Sequence, residues 1–191
     1  MIKVILTILC LLSATTTLGS DRPNIILMIG DGMGPAYTTA YRYFQNSSGT
    51  SKFDRTIFDA TLVGTASTYP DDIDGAVTDS AAAATAIASG VKTYNGAIGV
   101  DKDKNPLKTL LDLAKENGYR TAIVATSSIT HATPASFVAH VDSRLKNFEI
   151  ANQYVDEQFA GKPKVDLLMG GGRKYFRRDD RNLLDEFKAA G

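Results

Sequence analysis

The chain has 191 residues, enough for one domain with a sizeable core. Lysine plus arginine equal aspartate plus glutamate at 21 each, so there is no basic stripe of the kind that marks a nucleic-acid binder. A single cysteine excludes an intrachain disulfide framework.

The first twenty residues differ from the rest. Lys3 precedes an apolar stretch, Val4 to Ala14, followed by the small and polar Thr15 to Ser20. This reads as a secretory signal peptide over residues 1–20, cut near Gly19 or Ser20, with residues 21–191 as a portion of a single domain. The apolar run is shorter than the roughly 20 residues of a spanning helix, so no membrane span is expected in this chain. A buried first strand is the competing reading. Removing residues 1–20 also removes Cys10, the only cysteine.

Asn24 to Ile29 is an apolar run ending in Gly30-Asp31-Gly32-Met33-Gly34, a buried strand feeding a tight loop. Pro35 to Phe44 reads as a helix with proline in its first turn. Thr61 to Tyr69, rich in Thr and Val, reads as a strand. Asp79 to Ser89 is Ala-rich and helical, stopped by Gly90. Leu107 to Asn117 places Leu107, Leu110, Leu111 and Ala114 on one helical face, with Gly118 after it. Arg120 to Ala125 reads as a second buried strand. Phe148 to Phe159 is a helix, Val165 to Met169 a strand, Gly170 to Gly172 a loop, and Leu183 to Ala190 a last helix. Strands alternating with helices define an α/β fold, a mostly parallel central sheet with helices on both faces. In such folds ligands gather at the carboxyl ends of strands, where Asp31 and the Thr126 to Thr133 loop would lie.

Asp31, between two glycines, offers a carboxylate that backbone can approach closely, as a hard metal ion requires. A glycine turn with a local Asp hydrogen bond accounts for it equally well. A dinucleotide fingerprint opening at Gly30 fails, because its third glycine would fall on Pro35. Ser80 sits at a helix start, where unpaired N–H groups stabilise an anion by about 0.3–1 kcal/mol. That is too little to ionise a serine, so a metal or a base must supply most of the activation. Ordinary N-capping by Thr78, Asp79 or Ser80 explains the same residues, and no Gly-x-Ser-x-Gly elbow surrounds Ser80. His131 and Thr133, in Thr130-His131-Ala132-Thr133-Pro134, are candidates for a metal shell. His140 reads as a packed or surface histidine on a short helix. Arg144 is either a solvated charge or a bidentate partner for phosphate.

Taken in order, Pro23 to Gly34, Val77 to Ala86, Ser89 to Asp101, His131 to Ala135 and Gly170 to Arg173 resemble the alkaline phosphatase family. The resemblance implies that Asp31 is shared between a zinc and a magnesium site. It makes Ser80 the nucleophile, forming a phosphoserine and touching zinc. Asp79 would orient Arg144, and Arg144 would bind phosphate. Thr133 would ligate Mg2+. His131 stands where some members carry Asp, and members with His contact magnesium through water. The implied cofactors are two Zn2+ and one Mg2+, and the implied substrates are small-molecule phosphate monoesters. A periplasmic or extracellular location follows from the signal peptide, and a homodimer from the family. The family supplies its remaining zinc ligands from an Asp-x-x-x-His stretch, an Asp-His pair and a later His. Here only His131 and His140 are present, so the expectation is an N-terminal portion that is inactive alone. Two alternatives stand beside this one: a non-catalytic secreted phosphate- or metal-binding protein, and a related phosphodiesterase or sulfatase.

Overall fold

The computed structural model describes residues 22–46, 54–71, 75 and 77–190. The expected signal peptide lies outside them. The chain divides into two units, residues 1–30 and 31–191.

Of the first unit, residues 22–30 are described, and they form neither helix nor strand. The buried strand expected over Asn24 to Ile29 is therefore not formed: Ile25, Ile26, Leu27 and Met28 are all exposed. An apolar run creates a demand for burial, but a strand also needs a neighbour to complete its hydrogen bonds.

The second unit opens with helix α1 (Pro35–Gln45), which has proline in its first turn as expected. Helix α2 (Ile57–Thr61) begins at a capping box in which Thr56 and Asp59 satisfy each other's backbone N–H. The strand expected over Thr61 to Tyr69 is absent. This stretch is instead held by Lys92, whose Nζ donates to the Ser67 and Tyr69 carbonyls and lies 3.6 Å from the Tyr69 ring centroid.

Helix α3 (Ser80–Ser89) has Asp79 as its N-cap, accepting from the Ala82 N–H, and ends at Gly90 with φ 76°. Its alanines Ala81, Ala82, Ala84 and Ala88 are buried. Side chains this small let α3 lie close against helix α5 (Ala132–Ala135). Within that contact the fully buried Thr85 hydroxyl donates to the Ala97 carbonyl at 3.1 Å and accepts the Gly99 N–H at 3.0 Å.

Helix α4 (Leu110–Glu116) starts three residues later than expected. The Leu107 N–H is bound to Gly99 O, and a Thr109/Asp112 capping box sets the first turn. Strand β1 (Ala122–Ser128) leads through α5 into helix α6 (Asn147–Asp156). The helix ends before Phe159, because Gln158–Phe159 (β2) pairs with Lys162–Pro163 (β3) in an antiparallel hairpin. Ala160 and Gly161 both have positive φ, 52° and 78°, as a two-residue hairpin turn demands.

Strand β4 (Leu167–Gly171) then returns parallel to β1, pairing Ala122 with Leu167 and Val124 with Met169. A parallel neighbour needs such a helical crossover. The α/β class read from the sequence is thus the one observed, a parallel sheet with helices. Gly170 and Gly171 belong to β4 rather than to a loop. A Cβ on Gly170 would lie 2.8 Å from Ile129 Cδ1, so the glycines let β4 approach the β1–α5 connection. Helices α7 (Arg173–Phe176) and α8 (Leu183–Ala189) complete the unit.

The core collects Leu111, Ile123, Ile129, Val138, Ile150, Tyr154, Val165, Phe176 and Leu183 around one face of the sheet. Tyr154 is fully buried, and its hydroxyl donates to the Ile129 carbonyl at 2.8 Å. Burial pushes its ionisation far above the ordinary tyrosine range. No helix among the described residues is long and apolar enough to cross a membrane.

Candidate active site

Four of the sequence candidates converge. Asp31, in the turn before α1, receives the Ser80 hydroxyl on Oδ1 at 2.8 Å and the Thr133 hydroxyl on Oδ2 at 2.9 Å. His131 Nδ1 stands 4.0 Å from the same Oδ2. Ser80 is the first residue of α3, Thr133 lies in α5, and His131 is the residue before α5. The site is thus framed by the starts of two helices packed on each other. Asp31 does not follow a strand, contrary to expectation; its glycine neighbours supply the turn, with Gly32 at φ 67°.

Asp79 and Arg144 form the second half. Asp79 Oδ1 accepts the Ala82 N–H at 2.9 Å, which is the helix cap. Oδ2 accepts from Arg144 Nη1 at 3.0 Å. One carboxylate therefore both starts α3 and tethers the arginine. Arg144 Nη2 lies 3.2 Å from His131 Nε2. A guanidinium can only donate, so a hydrogen bond here requires the His131 tautomer that leaves Nε2 free to accept. The chain of contacts Asp79, Arg144, His131, Asp31, Ser80 is continuous.

Burial opposes the charge on Asp31. The hydrogen bonds from Ser80 and Thr133, with His131 and Arg144 nearby, outweigh it and hold the carboxyl below its ordinary range. An anionic Asp31 flanked by two hydroxyl oxygens is a set of hard donors, suited to Mg2+. Zinc pairs need nitrogen or further carboxylate ligands. Among the described residues no three His, Cys, Asp or Glu side chains gather to supply them. His140 stands apart from the site. It lies outside any helix or strand, with Nδ1 2.7 Å from Gly99 O.

One contributor was not singled out from the sequence. Asn95 Oδ1 accepts the Asp79 N–H at 2.8 Å, and Asn95 Nδ2 donates to the Val77 carbonyl at 3.0 Å. The available signal was the Asn95-Gly96 turn dipeptide, whose asparagine carries a donor and an acceptor on one short side chain.

The fold and the site together define an α/β protein that presents a serine at a helix N-terminus beside a carboxylate and a tethered arginine. Residues 22–191 match the family model described as alkaline phosphatase. The chain is 56% identical over 168 residues to alkaline phosphatase 3 of Bacillus subtilis (strain 168), covering 88% of this chain and 36% of that protein. Its structure is similar to that of the cold-active alkaline phosphatase from the psychrophile Shewanella sp., with a TM-score of 0.72 and 47% identity over 85% of this chain and 38% of that one. It is also similar to a mutant of the alkaline phosphatase from the Antarctic bacterium TAB5 with Mg bound in the M3 site. That match has a TM-score of 0.54 and 44% identity over 60% of this chain and 32% of the other. The chain belongs to the alkaline phosphatase family. It spans little more than a third of the length of the curated relatives it matches.

Proposed function

We propose that this chain carries the nucleophile portion of a metal-dependent phosphate-monoester hydrolase. The carrying observation is the Ser80–Asp31 hydrogen bond at the start of α3, one residue after the Asp79 that tethers Arg144. Arg144 binds the non-bridging oxygens of the phosphate dianion, and the α3 N-terminus adds a further positive field. Ser80 Oγ attacks phosphorus, the bond to the ester oxygen breaks, and the alcohol leaves with a proton. Water then cleaves the resulting phosphoserine and releases inorganic phosphate.

Asp31 accepts the Ser80 proton in its hydrogen bond, yet its lowered basicity makes it a weak base. The helix field, at about 0.3–1 kcal/mol, does not make up the difference. The oxygens of Asp31, Ser80 and Thr133 would hold a hard divalent cation, and His131 would stand beside it. When bound, such an ion supplies the charge that lowers the serine pKa and neutralises the phosphoryl oxygens. The TAB5 relative with Mg in its M3 site supports metal use of this kind. Among the described residues no group of three His, Cys, Asp or Glu side chains gathers to hold the expected zinc pair.

The same reading carries the remaining expectations: secretion through residues 1–20 to the periplasm or the outside, small-molecule monoesters as substrates, and a homodimer. With two histidines in its sequence, the 191-residue chain alone is expected to give no turnover.

The test is phosphate release from a monoester by the full-length protein with Zn2+ and Mg2+, wild type against Ser80→Ala. Loss of turnover in the variant supports the nucleophile assignment, and unimpaired turnover sinks it. Saturable phosphate binding with no release by the wild type would favour the non-catalytic reading.

A further inference from the structure

We propose that Asn95 is a positioning residue that sets where Asp79 and Ser80 stand relative to Arg144; this rests on the reading of the site given above. The segment Tyr94 to Ile98 lies between the two halves of the site. On one side it grips the backbone that leads to Arg144. Gly96 O accepts the Arg144 N–H at 2.7 Å, the Tyr94 hydroxyl donates to Asp142 O at 3.0 Å, and Ile98 and Val141 exchange two backbone bonds of 2.9 Å. On the other side it grips the backbone that leads into α3, through the Asn95 carboxamide on Asp79 N–H and Val77 O.

The Asp79–Arg144 ion pair closes the ring. Four neighbours are thereby fixed in a loop: Asn95 to Asp79, Asp79 to Arg144, Arg144 to Gly96, and Gly96 to Asn95 along the chain. The links on the Arg144 side are mainly backbone. On the Asp79 side, the carboxamide makes two links to the backbone entering α3, while Thr85, further along α3, holds Ala97 O. The Asp79 N–H lies outside the helix it caps, so α3 cannot satisfy it. Asn95 thus sets the direction in which the chain enters α3. Through that entry it sets where the Asp79 carboxylate and the Ser80 hydroxyl point.

Side-chain chemistry restricts the alternatives. Aspartate keeps an acceptor for the Asp79 N–H, loses the donor to Val77 O, and adds a charge beside Asp79. Alanine loses both bonds. Displacing reacting groups by about 1 Å can cost about 100-fold in rate.

The experiment uses the full-length protein with both metals, comparing wild type, Asn95→Ala, Asn95→Asp, Tyr94→Phe and Ser80→Ala, each at a temperature well below its melting midpoint. Asn95→Ala is expected to lower kcat about 10- to 100-fold and to weaken inhibition by inorganic phosphate about tenfold. Asn95→Asp should fall between it and wild type. Tyr94→Phe, which removes a bond from the same turn but leaves Val77 and Asp79 held, should stay within about twofold. In an Arg144→Ala background Asn95→Ala should add little, because its effect runs through the ion pair. If Asn95→Ala fails to fold, the Asn95→Asp comparison carries the same test.

Wild-type kinetics in the folded Asn95 variants would overturn the inference. So would an Asn95→Ala effect that multiplies fully with Arg144→Ala. These results are distinguishable from failure of the underlying reading, which unimpaired turnover in Ser80→Ala would reveal.

Discussion

Asp79 and Arg144 stand 65 positions apart in the sequence and meet through a single 3.0 Å ion pair between Oδ2 and Nη1. The other oxygen of the same carboxylate caps α3. Both groups are only about a quarter exposed, with side-chain exposures of 26% and 27%, so the pair is partly shielded from solvent screening.

The two tasks of Asp79 separate by substitution. Asparagine caps a helix about as well as aspartate, so Asp79→Asn should melt close to wild type. Asp79→Ala should lose about 1 kcal/mol from the missing cap. Both remove the charge facing Arg144, and both should change the inhibition constant of phosphate by a similar factor. Thermal melts and phosphate inhibition, measured on the two variants side by side, check this.

Asp31 makes stability depend on pH in a defined direction. Its carboxyl titrates below the ordinary value, so the folded state favours the anion. That contribution is fully present above the unfolded value, near pH 4, and is lost as pH falls through the lower folded value. Asp31→Asn cannot titrate. The gap in melting temperature between wild type and Asp31→Asn should therefore hold from pH 6 to about pH 5 and narrow as the pH falls below about 4, and a gap that stays constant through that lower range would contradict the assignment.

Thr85 tests the packing behind the site. Thr85→Val keeps the shape but leaves the Gly99 N–H and the Ala97 carbonyl without the hydroxyl that joins them. An unsatisfied buried polar group costs about 1–3 kcal/mol. Denaturant titration should show a loss in that range with an unchanged m-value.

Gly99 should tolerate no side chain. Its φ is 59°, and a Cβ there would run into the Ala139 carbonyl oxygen. Its own carbonyl accepts from both Leu107 N–H and His140 Nδ1. Gly99→Ala combines a left-handed penalty with overpacking, about 3 kcal/mol together. Thermal melting should place it at or below Thr85→Val.

Local features were readable where the chemistry is local. Helix α3 was legible because Asp79, the alanines and Gly90 each act within one or two turns. Helix α1 was legible from Pro35. The two strands that failed, over Asn24 to Ile29 and Thr61 to Tyr69, depend on a partner strand that the residues themselves do not name. The start of α4 moved because Gly99, eight residues back and outside any helix, takes the Leu107 N–H. The site divides in the same way. Residue type and setting made Ser80, Asp31, Thr133 and His131 candidates beside plainer readings, the family resemblance gave them roles, and the structure brings the four together. The Asn95 clamp was not picked out, because an asparagine in a turn looks the same whether it serves its own loop or a helix 16 residues back.

The buried Tyr154 gives the fold its own optical reporter. The sequence has eight tyrosines and no tryptophan, so near-ultraviolet absorbance is a tyrosine signal. While its hydroxyl stays sealed on Ile129 O, Tyr154 remains a phenol in alkali that ionises exposed tyrosines. Above about pH 10 an unfolded chain releases that proton and the folded one does not, so alkali draws the equilibrium toward unfolding. The phenolate band of the last tyrosine to ionise should therefore rise together with the loss of helical circular dichroism, timing the opening of the core without any added dye.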